Sequence, residues 1–239
     1  MKRITFIIAV MAGVLLCCCS ENTKVKISYE HPERYSIGDA TLEQPISGIS
    51  VDWVCGDVDI VYSDNPEVRI YEEIQEGFLP LTDSLRMRYY VDEDGELKIQ
   101  YIGFGKYRYG DLKNLNKHLN IEVPRGMELD EIDIDGVEAR VIIENVLSRE
   151  VNVDGVKINV NADYPDSLPD EIDLDGVSCL MALHVQPTAG LTIEMSGVKP
   201  WLTCDLPSRK EDKTTIVGDG KCKVDAEGVD VKLSIRELK

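Results

Sequence analysis

A short unit ending in a glycine turn recurs through the second half of the chain. In each copy, apolar residues alternate with polar ones, and an Asp or Ser, a Gly and a Val follow. The four copies are Ile132–Val137, Val151–Val156, Ile172–Val177 and Thr192–Val198, and their glycines are 19, 21 and 21 residues apart. We predict a degenerate copy around Gly218 and Gly220 and a terminal one at Gly228. Each unit is too small to bury its own apolar face, so the copies must stack to form a core.

The alternation within each unit has the period of a β-strand. Asp or Ser before Gly suits a tight turn, and we expect Gly to supply a positive φ. Stacking would pair each strand with the next in parallel. The sequence therefore predicts an all-β fold, a β-helix or β-solenoid with Gly-turn repeats. An antiparallel β-sandwich is the alternative, because its strands also recur with regular turn signals.

The part of the chain before the repeats also has strand character. Period-two alternation begins at Ile49 and is interrupted at Gly56. Arg86–Val91 and Glu96–Ile102 flank an acidic turn that ends in Gly95, which predicts a hairpin. Asp111–Leu119 is the one modest helix candidate. We predict a single β domain over 46–239, with a less regular part, 46–119, before the repeats of 120–239.

The N-terminus has the pattern of a lipoprotein signal. Lys2 and Arg3 precede an apolar run, 4–16, that is shorter than the roughly 20 residues a spanning helix needs. Cys17, Cys18 and Cys19 follow it. We predict a signal peptide over 1–18 and lipidation of Cys19, with Cys18 as the alternative. These features place the protein in the cell envelope, lipid-anchored to the outer membrane on either its periplasmic or its exterior face.

Residues 19–45 are polar and are interrupted by Pro32, Gly38 and Pro45. We predict that they form a tether between the lipid and the β domain. Fully extended, such a segment would reach on the order of 80 Å.

The chain is strongly acidic, with a formal net charge of -18. Removal of 1–18 would take away two bases and no acids. This charge argues against nucleic acid as a partner and against adsorption to anionic headgroups. The lipid is therefore the expected membrane contact.

Four cysteines lie beyond the signal: Cys55, Cys179, Cys204 and Cys222. No CxxC pair is present, so their spacing suggests no zinc site. The envelope permits disulfides, and free buried thiols are equally consistent with the sequence.

Several of these elements resemble bacterial putative-adhesin families of unknown function, including the "head GIN" type common in lipoproteins of gut Bacteroidetes. The matching residues are 49–62 with Gly56-Asp57-Val58, the segment Asn120–Pro124, and the Asp-Gly-Val turns. The resemblance covers roughly 45–235. It implies a right-handed, single-stranded β-helix in an envelope lipoprotein, and it supplies no catalytic residues.

The acidic turns are weak candidates for Ca²⁺. The stretch Glu131–Gly136 is similar to the start of an EF-hand loop, but the twelfth position, Ile142, is not the required acid. In a stack of strands, acidic residues of successive units would form columns that could recruit a cation. The weak cation candidates are Asp133, Asp135, Asp154, Asp173 and Asp175. We expect no other cofactor.

The sequence offers little for catalysis. Its three histidines are His31, His118 and His184, and neither GxSxG nor HExxH occurs. We expect no enzymatic activity.

The strongest candidate for binding is the segment Tyr101–Gly110, which concentrates aromatics and bases in an acidic chain. Aromatic faces stack on sugars or anchor protein partners. Its candidate residues are Tyr101, Phe104, Lys106, Tyr107, Arg108 and Tyr109. A hairpin whose aromatics cap the core is the alternative.

These features favour a non-enzymatic envelope lipoprotein that presents a β-solenoid surface for adhesion or for binding protein or glycan. Two alternatives stay open. One is a structural or regulatory envelope component, and the other is a divalent-cation-binding module.

Overall fold

The computed structural model describes residues 22–74 and 82–238. The predicted signal peptide, 1–18, and both candidate lipidation sites, Cys18 and Cys19, lie outside the described residues. Within the described ranges the protein is built from 17 strands and one short α-helix, α1. The all-β prediction is confirmed. No helix in these ranges is both long enough and apolar enough to cross a membrane.

The strands lie as follows in chain order: β1 Lys24–Ile27, β2 Ser36–Ile37, β3 Ala40–Leu42, β4 Gly48–Ser63, β5 Val68–Ile74, β6 Arg88–Val91, β7 Glu96–Gln100, β8 Gly105–Arg108, β9 Lys117–Pro124, β10 Glu128–Glu144, β11 Leu147–Tyr164, β12 Glu171–Val185, β13 Leu191–Gly197, β14 Trp201–Cys204, β15 Ser208–Glu211, β16 Thr214–Val217 and β17 Cys222–Glu237. Helix α1 is Tyr109–Lys113, and short 3-10 turns occupy Pro32–Arg34 and Asp83–Leu85.

Five long strands of 15 to 18 residues form the body of the protein. They pair in parallel in the spatial order β4, β10, β11, β12, β17. Strand β17, the last in the chain, lies between β12 and the β13–β14 segment. The strand order in space therefore departs from the order in sequence at the C-terminal end of the stack.

Each end of the stack is closed by two short strands in place of one long strand. At one end, β7 pairs with the first half of β4 and β9 pairs with the second half. At the other end, β13 and β14 pair with the two halves of β17. The antiparallel hairpin β15–β16 extends the edge at β13. The predicted hairpin around Gly95 is present as β6 and β7.

Five glycines form a column through the stack, from Gly136 through Gly155, Gly176 and Gly228 to Gly197. A Cβ at Gly176 would lie 2.0 Å from the Gly155 carbonyl oxygen, so no other residue fits there. Gly176 also has the expected positive φ of 153°. The expectation of positive φ is wrong at Gly136 and Gly155, which are instead needed because neighbouring atoms approach closely.

Two details of the predicted repeats need correction. Gly218 and Gly220 lie in the turn between β16 and β17, where Gly220 donates its backbone N–H to Val217, and they are not part of the glycine column. In β4, Trp53 occupies the register position of Gly136. The copy in β4 is therefore hidden in the sequence, although β4 pairs with β10 throughout its length.

The core is continuous along the stack. Alternate residues on both sides of each glycine point inward, as Ile132 and Ile134 do before the bend and Val141 and Ile143 do after it. These apolar residues belong to one buried cluster that extends from Val25 to Ile235. Burial of the apolar side chains in both halves of every long strand makes the main favourable contribution to the free energy of folding.

The predicted domain limits differ from the structure in two places. The boundary between 46–119 and 120–239 falls inside β9, and β4 belongs to the same stack as the repeats. The described part of the predicted tether, 22–45, is folded. Strand β1 pairs antiparallel with β8, and its Val25 and Ile27 are buried, so their apolar area outweighs the polar composition around them.

The helix prediction is corrected as well. Asp111–Leu119 contains only the end of α1, and β9 begins at Lys117. The alternation of Lys117, Leu119, Ile121 and Val123 as buried residues places this segment in the sheet rather than in a helix.

Candidate functional site

Acidic side chains form two columns on the outward-facing side of the stack. They lie in the part of each long strand that precedes the glycine column. The first column runs in register from Asp52 through Asp135, Asp154 and Asp175 to Glu227. In the second, the register aligns four residues: Asp133, Asn152, Asp173 and Asp225. The structure therefore brings the five predicted cation candidates together in the two expected rows. Neighbouring carboxyls in such a row lie about 4.8 Å apart at the backbone.

Burial and mutual repulsion raise the pKa of several carboxyls in the two columns. Desolvation, followed by the charges of Asp133, Asp52 and Asp154, raises the pKa of Asp135 to about 9. The Asp135 side chain is 8% exposed. Desolvation likewise raises the pKa of Asp133 to about 7 and that of Asp154 to about 6. The carboxyl of Asp135 is therefore protonated in the folded protein at neutral pH.

Two carboxylates of the second column and the adjacent Glu171 form a group that lies beside a lysine. Glu171, Asp173 and Asp225 have oxygens within 4.8 Å of one another. The Lys223 ammonium lies 2.6 Å from Glu171 Oε1 and 2.6 Å from Asp225 Oδ2. These contacts raise the pKa of Lys223 above its usual range. Lys223 therefore bridges two of the three carboxylates and offsets part of the charge of the cluster.

The predicted binding segment, Tyr101–Gly110, is divided between core and surface. Tyr101 is buried, packs edge-on against Trp53 and donates a hydrogen bond to the Leu112 carbonyl at 2.9 Å. Tyr109 is half-buried, and its hydroxyl lies 3.5 Å from Glu138 Oε2. Tyr101 is therefore inaccessible to a partner, whereas Tyr109 is partly accessible.

The rest of the segment reaches the surface. Tyr107 is half-buried and donates to the Gly103 carbonyl at 2.9 Å, which shapes the loop before β8. Phe104 is 55% exposed, and Lys106 and Arg108 are exposed on the outer side of β8. Three of the six candidate residues therefore share an accessible surface.

Two basic residues that the sequence placed in the tether join this surface. In the antiparallel pair of β1 and β8, Lys24 is opposite Arg108 and Lys26 is opposite Lys106. All four side chains are exposed, whereas Val25 and Ile27 between them are buried. We call Lys24, Lys26, Lys106 and Arg108 the basic face. Its only signal in the sequence is the alternation of Lys24–Ile27, which is too short to predict a distant partner strand.

An apolar patch lies at the opposite end of the stack. Trp201 is 63% exposed and Val198 is 71% exposed, and Val229 and Leu180 beside them are also exposed. Trp201 is aligned with Lys232, which is itself aligned with Leu180, so these residues lie on three adjacent strands. We call Leu180, Val198, Trp201 and Val229 the Trp201 patch. The sequence interpretation missed it because Val198 looked like a turn residue of the repeat.

The patch continues a ridge of valines along the bend. Val137, Val156, Val177 and Val229 each follow a glycine of the column, and the strand register aligns those glycines with one another. The first three are half-buried, and Val229 and then Val198 are increasingly exposed. The apolar surface therefore widens toward the end of the stack that carries Trp201.

The four cysteines beyond the signal are free thiols. Burial raises the pKa of Cys55 and of Cys179 to about 11 and that of Cys222 to about 12. Such thiols are poor nucleophiles at neutral pH. The sequence left open whether these cysteines form disulfides, and in the structure they are unpaired.

Two histidines form pairs with aspartates. His118 Nε2 lies 2.9 Å from Asp59 Oδ2, and His184 Nδ1 lies 2.6 Å from Asp163 Oδ1. His31 is exposed in the N-terminal segment and lies 3.5 Å from Glu33. These contacts orient each imidazole toward an acid on the surface of the sheet.

Comparison of the chain with known proteins gives structural similarity without sequence similarity. The sequence matches no protein-family model and no curated protein sequence. The fold is similar to that of a putative cell adhesion protein from Clostridium sporogenes, with a TM-score of 0.62 and 13% identity. That alignment covers 85% of this chain and 100% of the other. It shows a shared all-β fold.

A crystal structure of a putative adhesin from Bacteroides fragilis also matches, with a TM-score of 0.37 and 11% identity over 85% of this chain and 97% of the other. The all-β fold that the Gly-turn motifs predicted is supported by the similarity to the Clostridium sporogenes structure.

Proposed function

We propose that this protein is a non-enzymatic envelope lipoprotein that uses its β-stack as an adhesive surface, with the Trp201 patch as the contact for a protein or glycan. The stack is best described as a β-solenoid of right-handed, single-stranded coils. The lipid on Cys19 anchors it to the outer membrane.

The observation that carries this proposal is the exposure of the Trp201 patch in a chain of net charge -18. Large exposed apolar side chains in a cluster mark interaction sites, and tryptophan is enriched where partners contribute most binding energy. The indole face of Trp201 would stack on a sugar ring or insert into an apolar pocket of a protein. The similarity of the fold to that of a putative cell adhesion protein from Clostridium sporogenes is consistent with this role.

The location of the patch suits a displayed surface. From β7 to β14 the stack has six pairing steps, which span about 29 Å at the usual strand spacing. The N-terminal strand β1 pairs with β8, at the end of the stack that contains β7. An anchor attached there would leave the Trp201 patch farthest from the bilayer.

The experiment compares the wild-type chain with Val198→Ser/Trp201→Ser on a glycan array and in crosslinking on whole cells. Ile37→Ser is the matched control, because Ile37 is an exposed apolar residue on β2, at the other end of the sheet. We expect the double variant to lose its ligands and the control to keep them. Equal binding by all three proteins would refute the role of the patch.

The identity of crosslinked partners separates adhesion from the structural or regulatory alternative. Ligands on the cell exterior would support adhesion, and periplasmic partners would support an envelope component. Mass measurement of the mature N-terminus tests the lipoprotein part of the proposal separately, since a lipidated Cys19, a lipidated Cys18 and an unmodified chain differ in mass.

A further inference from the structure

The basic face is the one surface of the described chain where four cations stand together on a two-stranded sheet. Strands β1 and β8 read Lys24-Val25-Lys26-Ile27 and Gly105-Lys106-Tyr107-Arg108, and neither contains an acid. The antiparallel register places the four basic side chains as two directly opposed pairs. Like charges directly opposite each other repel, so this arrangement costs stability unless an anion lies over it.

The described part of the chain provides no such anion. Most basic side chains elsewhere are neutralised, as Lys223 is by Glu171 and Asp225 and Arg140 is by Asp57. The cations of the basic face take part in no ion pair with the residues that the structure describes. Their outer side is therefore unpartnered and open to a polyanion from outside the chain.

An exposed aromatic ring completes the surface. Phe104 immediately precedes β8, is 55% exposed, and lies 6.0 Å from the Lys26 ammonium. An apolar ring beside ammonium groups matches the boundary between lipid headgroups and acyl chains, where the ring is buried and the cations meet phosphates.

The position of the basic face in the chain indicates which anion it meets. Lys24 is five residues after Cys19. Five extended residues reach about 18 Å, so a lipid on Cys19 would hold the basic face within that distance of the bilayer. A folded β1 removes the long tether that would have kept the domain clear of the membrane.

We propose that the basic face, with Phe104, docks on the anionic phosphates of the lipid bilayer that holds the anchor. This inference rests on the proposed lipoprotein and adds a second membrane contact to it. A basic patch beside a lipid anchor is a known type of second membrane contact. Each exposed Lys or Arg near an anionic surface strengthens attraction, and the effect falls off within a Debye length.

The acidity of the whole chain does not prevent this contact. Charges are screened over about 8 Å at physiological ionic strength, so the local sign of a surface decides its attraction to a membrane. The acidic columns lie on β4, β10, β11, β12 and β17, whereas the basic face lies on the separate sheet of β1 and β8. The expectation that the chain would avoid anionic headgroups, taken from net charge alone, therefore does not apply to this face.

The test uses the chain from Cys19 onward, without the acyl group and with Cys19→Ser. The core lies between Val25 and Ile235, so this chain retains every core residue. Cosedimentation is measured with vesicles of equal parts phosphatidylglycerol and phosphatidylcholine, and with phosphatidylcholine alone. We expect binding to the mixed vesicles that weakens as salt is added, and no binding to phosphatidylcholine.

Two variants identify the surface. Replacement of the basic face by glutamine is expected to lower partition onto the mixed vesicles at least tenfold, and Phe104→Ala is expected to lower it by a smaller factor. The control replaces four exposed lysines at the other end of the chain by glutamine and should retain wild-type partition. These lysines are Lys199, Lys210, Lys213 and Lys221.

The proposal is overturned if the two quadruple variants bind equally, if neither vesicle binds the wild-type chain, or if the basic face retains a DNA oligonucleotide but not the vesicles. A circular dichroism melt of each variant guards against unfolding. Because the chain in this test has no lipid, the result is independent of whether Cys19 is acylated in the cell, which the mass of the mature N-terminus decides.

Discussion

Lys117 is a fully buried lysine near the end of the stack at β7 and β9. Its ammonium lies 2.5 Å from Glu72 Oε2 and 3.1 Å from the Leu85 carbonyl oxygen, and it lies over the rings of Trp53 and Tyr101. Desolvation lowers the pKa of Lys117 to about 8, although Glu72 opposes the shift. The pair joins β5 to β9 inside the core and has no counterpart among the repeats.

We expect Lys117→Met to lower the free energy of unfolding by about 3 kcal/mol, because a buried carboxylate loses its strongest partner. Adding Glu72→Gln should recover a large part of this loss, since the amide oxygen can still accept from the Met87 backbone N–H, as Glu72 Oε1 does at 3.0 Å. Urea denaturation of both single variants and the double variant measures the coupling. Additive losses would show that the two side chains do not act as a pair.

The first acidic column makes stability depend on pH. The pKa of Asp135 is raised to about 9 in the folded protein, whereas an unfolded aspartate has a pKa of about 3.9. Between these values the folded state holds more protons, so the free energy of unfolding falls as the pH rises. Asp52, Asp133 and Asp154 face the same carboxyl and add to its repulsion.

Asp135→Asn should therefore raise the urea midpoint near pH 7.5 and leave it almost unchanged near pH 4, where the wild-type carboxyl is already neutral. Glu43→Gln, at an exposed carboxyl, is the control and should change neither midpoint. If the midpoint of the Asp135→Asn protein still fell with rising pH as in the wild type, this column would not be the source of the dependence.

The glycine column shows how one position in each of five strands is fixed by the approach of the neighbouring strand. We expect Gly176→Ala to lower the free energy of unfolding by about 3 kcal/mol or more, because the new methyl group would meet backbone at 2.0 Å. Gly126→Ala should cost only about 1 kcal/mol, since its φ is 80° but nothing lies within 4 Å. Chemical denaturation distinguishes the two, and equal losses would mean that φ alone sets the penalty.

The sequence predicted the elements that obey a local rule and missed those that depend on distant partners. Alternation and Asp-Gly-Val turns revealed β10, β11, β12 and β13, because each unit carries its own pattern. Strand β4 was recognised as a strand but not as a member of the stack, since Trp53 replaces the glycine. Strand β1 was missed because its stability comes from β8, which is about 80 residues away in sequence.

The same distinction applies to the candidate sites. The acidic columns follow from strand register, and the sequence placed the five predicted candidates in two rows but did not include Asp52, Asp225 or Glu227. The division of Tyr101–Gly110 into buried and exposed residues depends on which side of β8 faces the core. A strand of four residues is too short for its sequence pattern to show which side faces the core. The alternation in β1 is equally short, so the basic face was not recognised from the sequence.

At the scale of the whole molecule, the placement of β17 determines how the protein responds to truncation. In most stacked-repeat proteins, loss of the terminal repeat removes one end and leaves the rest folded. Here deletion of 222–239 would remove a strand from between β12 and β13, and with it both of their pairings to β17. We expect this deletion to abolish cooperative unfolding in urea, and a well-folded remainder would contradict it.

Deletion of the β15–β16 hairpin, 207–218, with a short glycine linker in its place, is the matched control. The hairpin lies close to β17 in the sequence, but it only extends the edge of the sheet at β13. This variant should retain a cooperative transition with a lower midpoint.

The position of β17 also imposes an order of events on folding. The chain is synthesised from its N-terminus, so β13 and β14 are made before β17, the strand that joins them to β12. Until Cys222–Glu237 is in place, the edge of β12 and the edges of β13 and β14 that face β17 have no strand partner. Strand β17 therefore completes the stack. Before it has paired, the chain is most susceptible to mispairing of its strands and to proteolysis.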